Sequence, residues 1–217
     1  MYHPKKIKVC GLREPGNIER VCRLEPDFVG YIFYPPSKRY VGTHPDPAIF
    51  RIPRQPVKKV GVFVNEEILA VQRNFEKCRL DLVQLHGEES PEYCLTLADS
   101  GIPVIKSFDP GRIHTHGGIA DYVEQVSYFL FDSRGKGYGG TGKHFDWDLL
   151  QRFSIPFPFI LSGGIAPEDA PRICEMDHEW LYGVDLNSRF ETSPGIKEVD
   201  WLARFIKEIR KRKNDDI

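Results

Sequence analysis

The sequence predicts an α/β fold, a single-domain (β/α)8 barrel, or TIM barrel, that covers residues 1–217. Three observations lead to this prediction. Eight short runs rich in Val, Ile, Phe and Tyr alternate with eight segments that could form helices. These runs are almost continuously apolar, which is typical of parallel strands covered on both faces. Barrels of this kind also commonly use a chain of this length as one domain.

The strands are predicted at the apolar runs, in chain order. They lie at Ile7–Cys10, Phe28–Phe33, Lys59–Val64, Leu82–Leu85, Val104–Ser107, Tyr128–Phe131, Phe157–Leu161 and Trp180–Leu186. Because parallel strands need a crossover connection, a helix is expected after each of them.

The helices are predicted between the strands and after the last one. The candidates are Asn17–Leu24, Pro45–Arg51, Glu66–Lys77, Pro91–Ser100, a weakly patterned Gly118–Gln125, Trp147–Phe153, Pro167–Cys174 and Ile196–Arg212. Several begin with a capping residue or a proline, as helix starts prefer: Asn65 before Glu66, Ser90-Pro91 and Ala166-Pro167. The charged residues 210–217 are expected to fray.

The positions of the glycine clusters favour a closed barrel over an open, doubly wound sheet. In a doubly wound nucleotide-binding fold the glycine-rich loop follows the first strand, but the segment after Cys10 lacks the G-x-G-x-x-G pattern. The clusters Gly139–Gly142, Ser162–Gly164 and Asn187-Ser188 instead follow strands six, seven and eight. Loops after strands seven and eight often form a phosphate site in barrels.

These late loops suit an oxyanion, because small residues let backbone N–H groups approach it and a helix N-terminus adds partial positive charge. One such cluster alone indicates no more than a turn, whereas three at neighbouring strand ends indicate a site for a phosphorylated small molecule. The predicted phosphate-binding residues are Gly140, Thr141, Gly142, Ser162, Gly163, Gly164, Asn187, Ser188 and Arg189.

The composition, with 41% hydrophobic and 28% charged residues, is that of a soluble globular protein. A formal net charge of −1 supplies no field to hold DNA or RNA, so nucleic acid is not expected as a partner. The sequence shows neither a signal peptide nor an apolar run of the ~20 residues that a membrane span needs. We therefore expect an unexported protein with no membrane partner.

The five cysteines are widely spaced, odd in number and without a CxxC pair, which fits neither a disulfide framework nor a zinc site. They indicate a reducing, cytoplasmic compartment. The cysteines in helical segments are expected to pack against apolar neighbours; they are Cys22, Cys78, Cys94 and Cys174. His114 and His116 lack a further ligand at metal-binding spacing, so no metal is predicted.

Polar residues end several predicted strands, and in a barrel these ends converge on one mouth. Cys10 ends strand one, Arg39 follows strand two, Gln84 and His86 end strand four, and Asp132 follows strand six. A thiol, a cation and a carboxylate at one cavity could transfer protons and bind an anion. Taken singly, each has an ordinary alternative: a buried apolar cysteine, an exposed loop arginine or a turn-forming aspartate.

Nine segments, in order along nearly the whole chain, carry a family resemblance. They are Lys8–Leu12, Phe33–Tyr40, Val60–Asn65, Val83–Glu89, Leu130–Ser133, Gly139–Trp147, Leu161–Ile165, Gly183–Leu186 and Glu191–Gly195. Together they resemble the phosphoribosylanthranilate isomerase family. The resemblance implies an Amadori rearrangement of N-(5-phosphoribosyl)anthranilate to 1-(o-carboxyphenylamino)-1-deoxyribulose 5-phosphate in tryptophan biosynthesis, with no cofactor.

The resemblance also implies roles for the strand-end residues. Asp132 would be the general acid that protonates the ring oxygen, Cys10 the general base that removes the C2 proton, and Arg39 the group that holds the anthranilate carboxylate. A free Asp titrates near ~3.9 and a free Cys near ~8.5, so both pKa values must shift towards neutrality. We expect a water-poor mouth to raise the pKa of Asp132. A nearby cation, a helix N-terminus or bound substrate should favour the Cys10 thiolate.

Other predicted substrate contacts have two interpretations. Gln84 and His86 would line the cavity, although His86 could instead hold a loop, and Asp185 could contact the substrate or order its own loop. The chain reads Asn187-Ser188-Arg189-Phe190-Glu191 where family members usually read Ser-Ser-Gly-Val-Glu. Arginine would be strained at a positive φ, so we expect a helical backbone at Arg189.

Two other functions fit a phosphate-binding barrel. The related isomerase of histidine biosynthesis, or a bifunctional enzyme, uses an aspartate where Cys10 stands, so Cys10 and the aromatic-rich loop Phe33–Tyr40 favour the tryptophan enzyme. A non-catalytic sugar-phosphate-binding barrel would have no need of both Cys10 and Asp132. The expected partner is a phosphorylated aminosugar, and the sequence leaves monomer or homodimer open.

Overall fold

Eight parallel strands pair in chain order, and β1 pairs with β8 to close the barrel that the sequence predicts. The computed structural model describes residues 5–111, 118–132, 147–152 and 156–211. The strands are β1 (Lys6–Val9), β2 (Phe28–Ile32), β3 (Lys58–Phe63), β4 (Leu82–Leu85), β5 (Val104–Phe108), β6 (Tyr128–Phe131), β7 (Phe159–Leu161) and β8 (Leu181–Leu186). The predicted fold class is confirmed, and every strand agrees with its predicted run to within two residues.

Side chains along each strand alternate between the inside of the barrel and the surrounding helices. The inner cluster packs residues from six strands: Phe28, Val60, Leu82, Ile105, Leu130 and Ile160. On the outside, Ile7 and Val9 of β1 belong to the larger core between strands and helices. Lys8 and Cys10 alternate with them and therefore point into the barrel. This register brings the Cys10 thiol to the carboxyl-terminal mouth.

In the part of the chain that the structure describes, five α-helices surround the strands: α1 (Pro15–Cys22), α2 (Ile68–Lys77), α3 (Pro91–Asp99), α4 (Ala170–Glu175) and α5 (Val199–Lys211). Three predicted helices are wrong, because these segments form only short 3-10 turns at Pro47–Phe50, Ile119–Tyr122 and Trp147–Arg152. In the first, Pro47 and Pro53 disfavour helical backbone in the residue before each of them, so little more than one turn can form between these prolines. In the second, Gly118 precedes the turn with a φ of 86°.

The predicted helix starts have different outcomes. Ser90 caps α3 as expected, because its side chain accepts a hydrogen bond from the Tyr93 N–H. The prediction for Asn65 is wrong: α2 begins only at Ile68, and Asn65 has a φ of 48°. Its side-chain oxygen accepts from the Glu88 N–H at 2.7 Å. Asn65 therefore ties the loop after β3 to the loop after β4.

A short hairpin that the sequence analysis missed precedes the last helix. β9 (Glu191–Ser193) and β10 (Ile196–Lys197) pair antiparallel around Gly195, whose φ is 89°. The predicted helix Ile196–Arg212 therefore starts three residues late, at Val199. α5 then buries Leu202, Phe205, Ile206 and Ile209. Their spacing is that of one helix face, and each buried side chain contributes about 1.5–3 kcal/mol.

Within the described ranges, every helix is too short or too polar to cross a bilayer.

Candidate active site

The carboxyl-terminal ends of the strands surround one cavity of about 710 Å³, a volume that includes the part open to solvent. It gathers most of the residues that the sequence predicts: Cys10, Arg39, Gln84, His86, Asp132, Ser162, Gly163, Gly164, Asp185, Asn187 and Ser188. Gly140, Thr141 and Gly142 lie outside the described residues, as do His114 and His116. Barrel topology thus brings together residues that are far apart in the sequence.

The Cys10 thiol is buried next to an ion pair inside the barrel. Lys8 and Asp185 are register partners on β1 and β8, and the Lys8 Nζ lies 3.0 Å from an Asp185 carboxylate oxygen. Gly30 of β2 makes room for the thiol, since a Cβ there would lie 2.7 Å from the Cys10 Sγ. Lys8 was not among the predicted site residues, although a lysine within an apolar strand indicates a buried charge that needs a partner.

Burial raises the pKa of the Cys10 thiol, although the ammonium groups of Lys8 and Lys197 oppose this rise. The expectation of a lowered pKa is therefore wrong for the unliganded protein, because desolvation outweighs the nearby cations. Burial lowers the pKa of Lys8, but the charges of Asp185 and Cys10 more than offset this effect, so Lys8 keeps its proton. At neutral pH the mouth holds a thiol beside a charged ammonium.

Asp132 and His86 form a second pair of proton-carrying groups at the mouth. The His86 Nε2 lies 3.5 Å from Asp132 Oδ2, and the two side chains are nearly buried. The other ring nitrogen, Nδ1, lies 3.1 Å from the Gln84 side-chain nitrogen and 3.0 Å from the Ser107 Oγ. These two contacts fix the orientation of the imidazole ring, so Nε2 faces Asp132. The imidazole is therefore held against the Asp132 carboxylate.

A buried pair outside the barrel holds the loop that carries His86. The Lys106 Nζ lies 2.8 Å from a Glu89 carboxylate oxygen and donates to the Gly87 carbonyl at 2.8 Å. Glu89 also accepts from the Asn65 N–H at 2.8 Å. These contacts connect the loops after β3 and β4 to β5, so they fix the position of the loop that carries His86.

Arg39 reaches the cavity from the loop after β2 and is held by Glu191 of β9. Its Nε lies 2.8 Å and 3.0 Å from the two Glu191 oxygens, and its Nη2 lies 2.6 Å from Oε2. Gly11, with a φ of 80°, permits this approach, because a Cβ there would lie 2.6 Å from the Arg39 Cδ. The sequence analysis assigned no role to Glu191.

The loops after β7 and β8 form the side of the cavity predicted to bind phosphate. Gly163 and Gly164 have φ values of 88° and 73°, which only glycine adopts without strain. Asn187 is held by Lys197, whose Nζ donates to its side-chain oxygen at 2.7 Å and to its carbonyl at 3.2 Å. Burial lowers the pKa of Lys197 to about 8, although Glu191 opposes this effect.

The hypothesis of a helical backbone at Arg189 is confirmed, because the 3-10 turn Ser188–Phe190 includes this residue. Its exposed side chain lines a separate surface groove, together with Trp201 and Arg204. The sequence predicts Arg189 as a phosphate-binding residue, but its side chain does not line the cavity that gathers the other described site residues.

The fold and the mouth define a class: a (β/α)8-barrel protein with a thiol, a carboxylate and a glycine-containing loop in one cavity. Comparison with known proteins then gives the family. Residues 7–208 match the family model described as N-(5'-phosphoribosyl)anthranilate (PRA) isomerase. The chain belongs to this family, so the predicted resemblance is confirmed.

Named relatives and solved structures agree with this assignment. The chain is 46% identical to an N-(5'-phosphoribosyl)anthranilate isomerase of Parabacteroides distasonis, over 94% of this chain and 92% of that one. The identity to the isomerase of Phocaeicola vulgatus is 39%, over 95% and 98%. The crystal structure of phosphoribosyl anthranilate isomerase from Thermotoga maritima superposes with a TM-score of 0.79 at 33% identity, over 95% and 99%.

A further solved structure contains a ligand. It is a phosphoribosyl anthranilate isomerase in complex with reduced 1-(o-carboxyphenylamino)-1-deoxyribulose 5-phosphate, and its identity to this chain is 31% with a TM-score of 0.73. The comparison covers 95% of this chain and 99% of the other.

Proposed function

We propose that this chain catalyses the Amadori rearrangement of N-(5-phosphoribosyl)anthranilate to 1-(o-carboxyphenylamino)-1-deoxyribulose 5-phosphate in tryptophan biosynthesis. The observation that carries the proposal is that Cys10 and Asp132 line one cavity of a barrel that belongs to the isomerase family. The reaction moves protons within one molecule, so it needs an acid and a base but no cofactor.

In the first step Asp132 protonates the ribose ring oxygen, the C1–O bond breaks and the nitrogen lone pair forms an iminium at C1. The acid must lie at the barrel mouth, within reach of the ring oxygen, and carry a proton when the substrate binds. Asp132 lies at the mouth, because it directly follows β6, and it faces the His86 imidazole at 3.5 Å. Gln84 positions the His86 ring, and the ring in turn would position the Asp132 carboxyl group at the cavity.

In the second step the Cys10 thiolate removes the proton from C2, and the electron pair of that C–H bond forms the enolamine that ketonises to product. The pKa of Cys10 is raised by burial in the unliganded protein. The positive charge of the iminium would favour the thiolate beside it, in addition to the charge of Lys8. Once the ring has opened, the Cys10 thiol releases its proton to solvent at the open mouth, and the thiolate then acts as the base.

The rest of the mouth fits the two anionic ends of this substrate. Arg39 would hold the anthranilate carboxylate, and the loop Ser162–Gly164 with Asn187-Ser188 would hold the phosphate through backbone N–H groups. Gly140, Thr141, Gly142 and the backbone of Arg189 stay predictions for the phosphate site. Asp185, which is paired with Lys8, would contact a hydroxyl or amine group of the substrate. The ligand of the related structure has the same aromatic acid and phosphate groups.

The cytoplasm is the proposed location, and all five cysteines are free thiols, as a reducing compartment allows.

The proposal is tested by mixing the chain with N-(5-phosphoribosyl)anthranilate and following the loss of substrate fluorescence. The product is identified by brief acid treatment, because an N-glycoside releases anthranilate whereas the rearranged aminoketone does not. We expect turnover with a product that resists acid. A chain that binds the substrate without turnover would instead be a sugar-phosphate-binding module.

A further inference from the structure

We infer that Glu191 is a positioning residue that orients the Arg39 guanidinium and so determines the preference for a substrate with a carboxylate on its aromatic ring. This inference rests on the proposed role of Arg39. It concerns a side chain that the reaction itself does not use, on a hairpin that follows the last strand of the barrel.

The contact between the two side chains uses one edge of the guanidinium. Glu191 accepts from Arg39 Nε at 2.8 Å and from Nη2 at 2.6 Å, with side chains only 4% and 15% exposed. A guanidinium has five N–H groups in a fixed plane. After two are given to Glu191, the Nη1 group and the second Nη2 hydrogen remain. These form the other bidentate edge, which matches a second carboxylate.

Glu191 is itself held by two further hydrogen-bond donors. The Lys197 Nζ lies 2.7 Å from Glu191 Oε1, and the Gly195 N–H donates to the same oxygen at 3.1 Å. Burial raises the pKa of Glu191, but the contacts with Arg39 and Lys197 outweigh it and lower the pKa overall. Glu191 is therefore a charged and immobile acceptor at neutral pH.

The same network includes a residue proposed for the phosphate site. Lys197 also donates to Asn187 in the loop after β8, at 2.7 Å. Arg39, proposed for the carboxylate, and Asn187, proposed for the phosphate, are thus linked through Glu191 and Lys197. An arginine without such a partner must lose side-chain entropy when the substrate binds. Glu191 removes this cost before binding, so its effect should appear in the binding of the carboxylate.

The test compares Glu191→Gln with the parent chain on two substrates, N-(5-phosphoribosyl)anthranilate and N-(5-phosphoribosyl)aniline, which lacks the carboxylate. For the first we expect KM to rise about tenfold with kcat nearly unchanged, because hydrogen bonds between charged groups are lost. For the second we expect kcat/KM to stay within about twofold of the parent value. Equal losses on both substrates, or no loss on either, would overturn the inference.

Two further variants keep the result clear. Glu191→Gln combined with Lys197→Met restores the net charge of the cluster. Because Lys197 also holds Asn187, this double variant is compared with Lys197→Met alone, and against that reference we expect the same selective loss for the carboxylate substrate. Glu89→Gln breaks another buried pair with a lysine, at 2.8 Å, away from Arg39. Any loss it causes should be equal for both substrates.

Arg39→Met separates this inference from the proposed function. If Arg39 binds the carboxylate, its removal should weaken only the anthranilate substrate. An equal effect of Arg39→Met on both substrates would show that the proposed role of Arg39 is wrong. A selective effect of Arg39→Met without one for Glu191→Gln would show that only the inference about Glu191 is wrong.

Discussion

Replacing Lys8 by methionine removes the ammonium of a buried ion pair and leaves the Asp185 carboxylate buried without it. The charged atoms are 3.0 Å apart, and the side chains are 1% and 6% exposed. Coulomb's law with an effective dielectric constant of about 20 gives roughly 5 kcal/mol for this attraction. Breaking such a pair from one side typically costs about 3–5 kcal/mol. Methionine is similar in size, so the cavity that it leaves contributes little.

Urea unfolding followed by circular dichroism measures this loss. The set is the parent chain, Lys8→Met, Asp185→Asn and the double variant. We expect Lys8→Met to lose about 3–5 kcal/mol, and the double variant to recover a large part because neither charge remains buried alone. A loss below about 1 kcal/mol at an unchanged m-value would refute the reasoning.

Three more predictions concern the mouth. Gly30→Ala should destabilise the fold by about 1–3 kcal/mol and reduce turnover, because its Cβ would lie 2.7 Å from the Cys10 Sγ; thermal unfolding and the fluorescence assay measure both. Inactivation of the free protein by iodoacetamide should accelerate with pH, with a midpoint above that of a free cysteine, because burial raises the pKa of Cys10 and only the thiolate reacts. Arg189→Gly should change KM by less than about twofold, because Arg189 is exposed and already helical.

Each of these has a contrary outcome. If Gly30→Ala were as stable as the parent chain, β1 and β2 would be able to move apart near Cys10 with no loss of folding free energy. An inactivation midpoint below that of a free cysteine would mean that Lys8 and Lys197 outweigh burial; the parent chain incubated without iodoacetamide supplies the background rate. A large gain in affinity for Arg189→Gly would mean that arginine hinders the phosphate loop.

The strands and the site residues at their ends could be predicted because both depend on local signals. A strand covered on both faces must be apolar throughout, and its carboxyl-terminal end must reach the mouth. The short helical segments could not be predicted equally well. In Pro45–Arg51, composition suggested a helix, but the prolines and the loop geometry leave only one 3-10 turn.

The supporting charges were missed for a different reason. Lys8, Glu191 and Lys197 have partners that lie far along the chain or across a hairpin, and no sequence spacing reveals them. Lys8 pairs with Asp185 at a separation of 177 residues. The Pro194-Gly195 turn could have indicated the hairpin, since this dipeptide interrupts a helix. The direction of the Cys10 pKa shift depends on burial, which the sequence does not contain.

The central claim is that Cys10 and Asp132 act as base and acid in the isomerisation. The most direct measurement is turnover of N-(5-phosphoribosyl)anthranilate by the parent chain, Cys10→Ser, Asp132→Asn and the control Cys22→Ser, whose cysteine lies on α1 outside the mouth. We predict losses of about a hundredfold or more in kcat for the first two variants and parent rates for the control. Undiminished turnover in Cys10→Ser or in Asp132→Asn, with the fold intact, would contradict the role assigned to that residue.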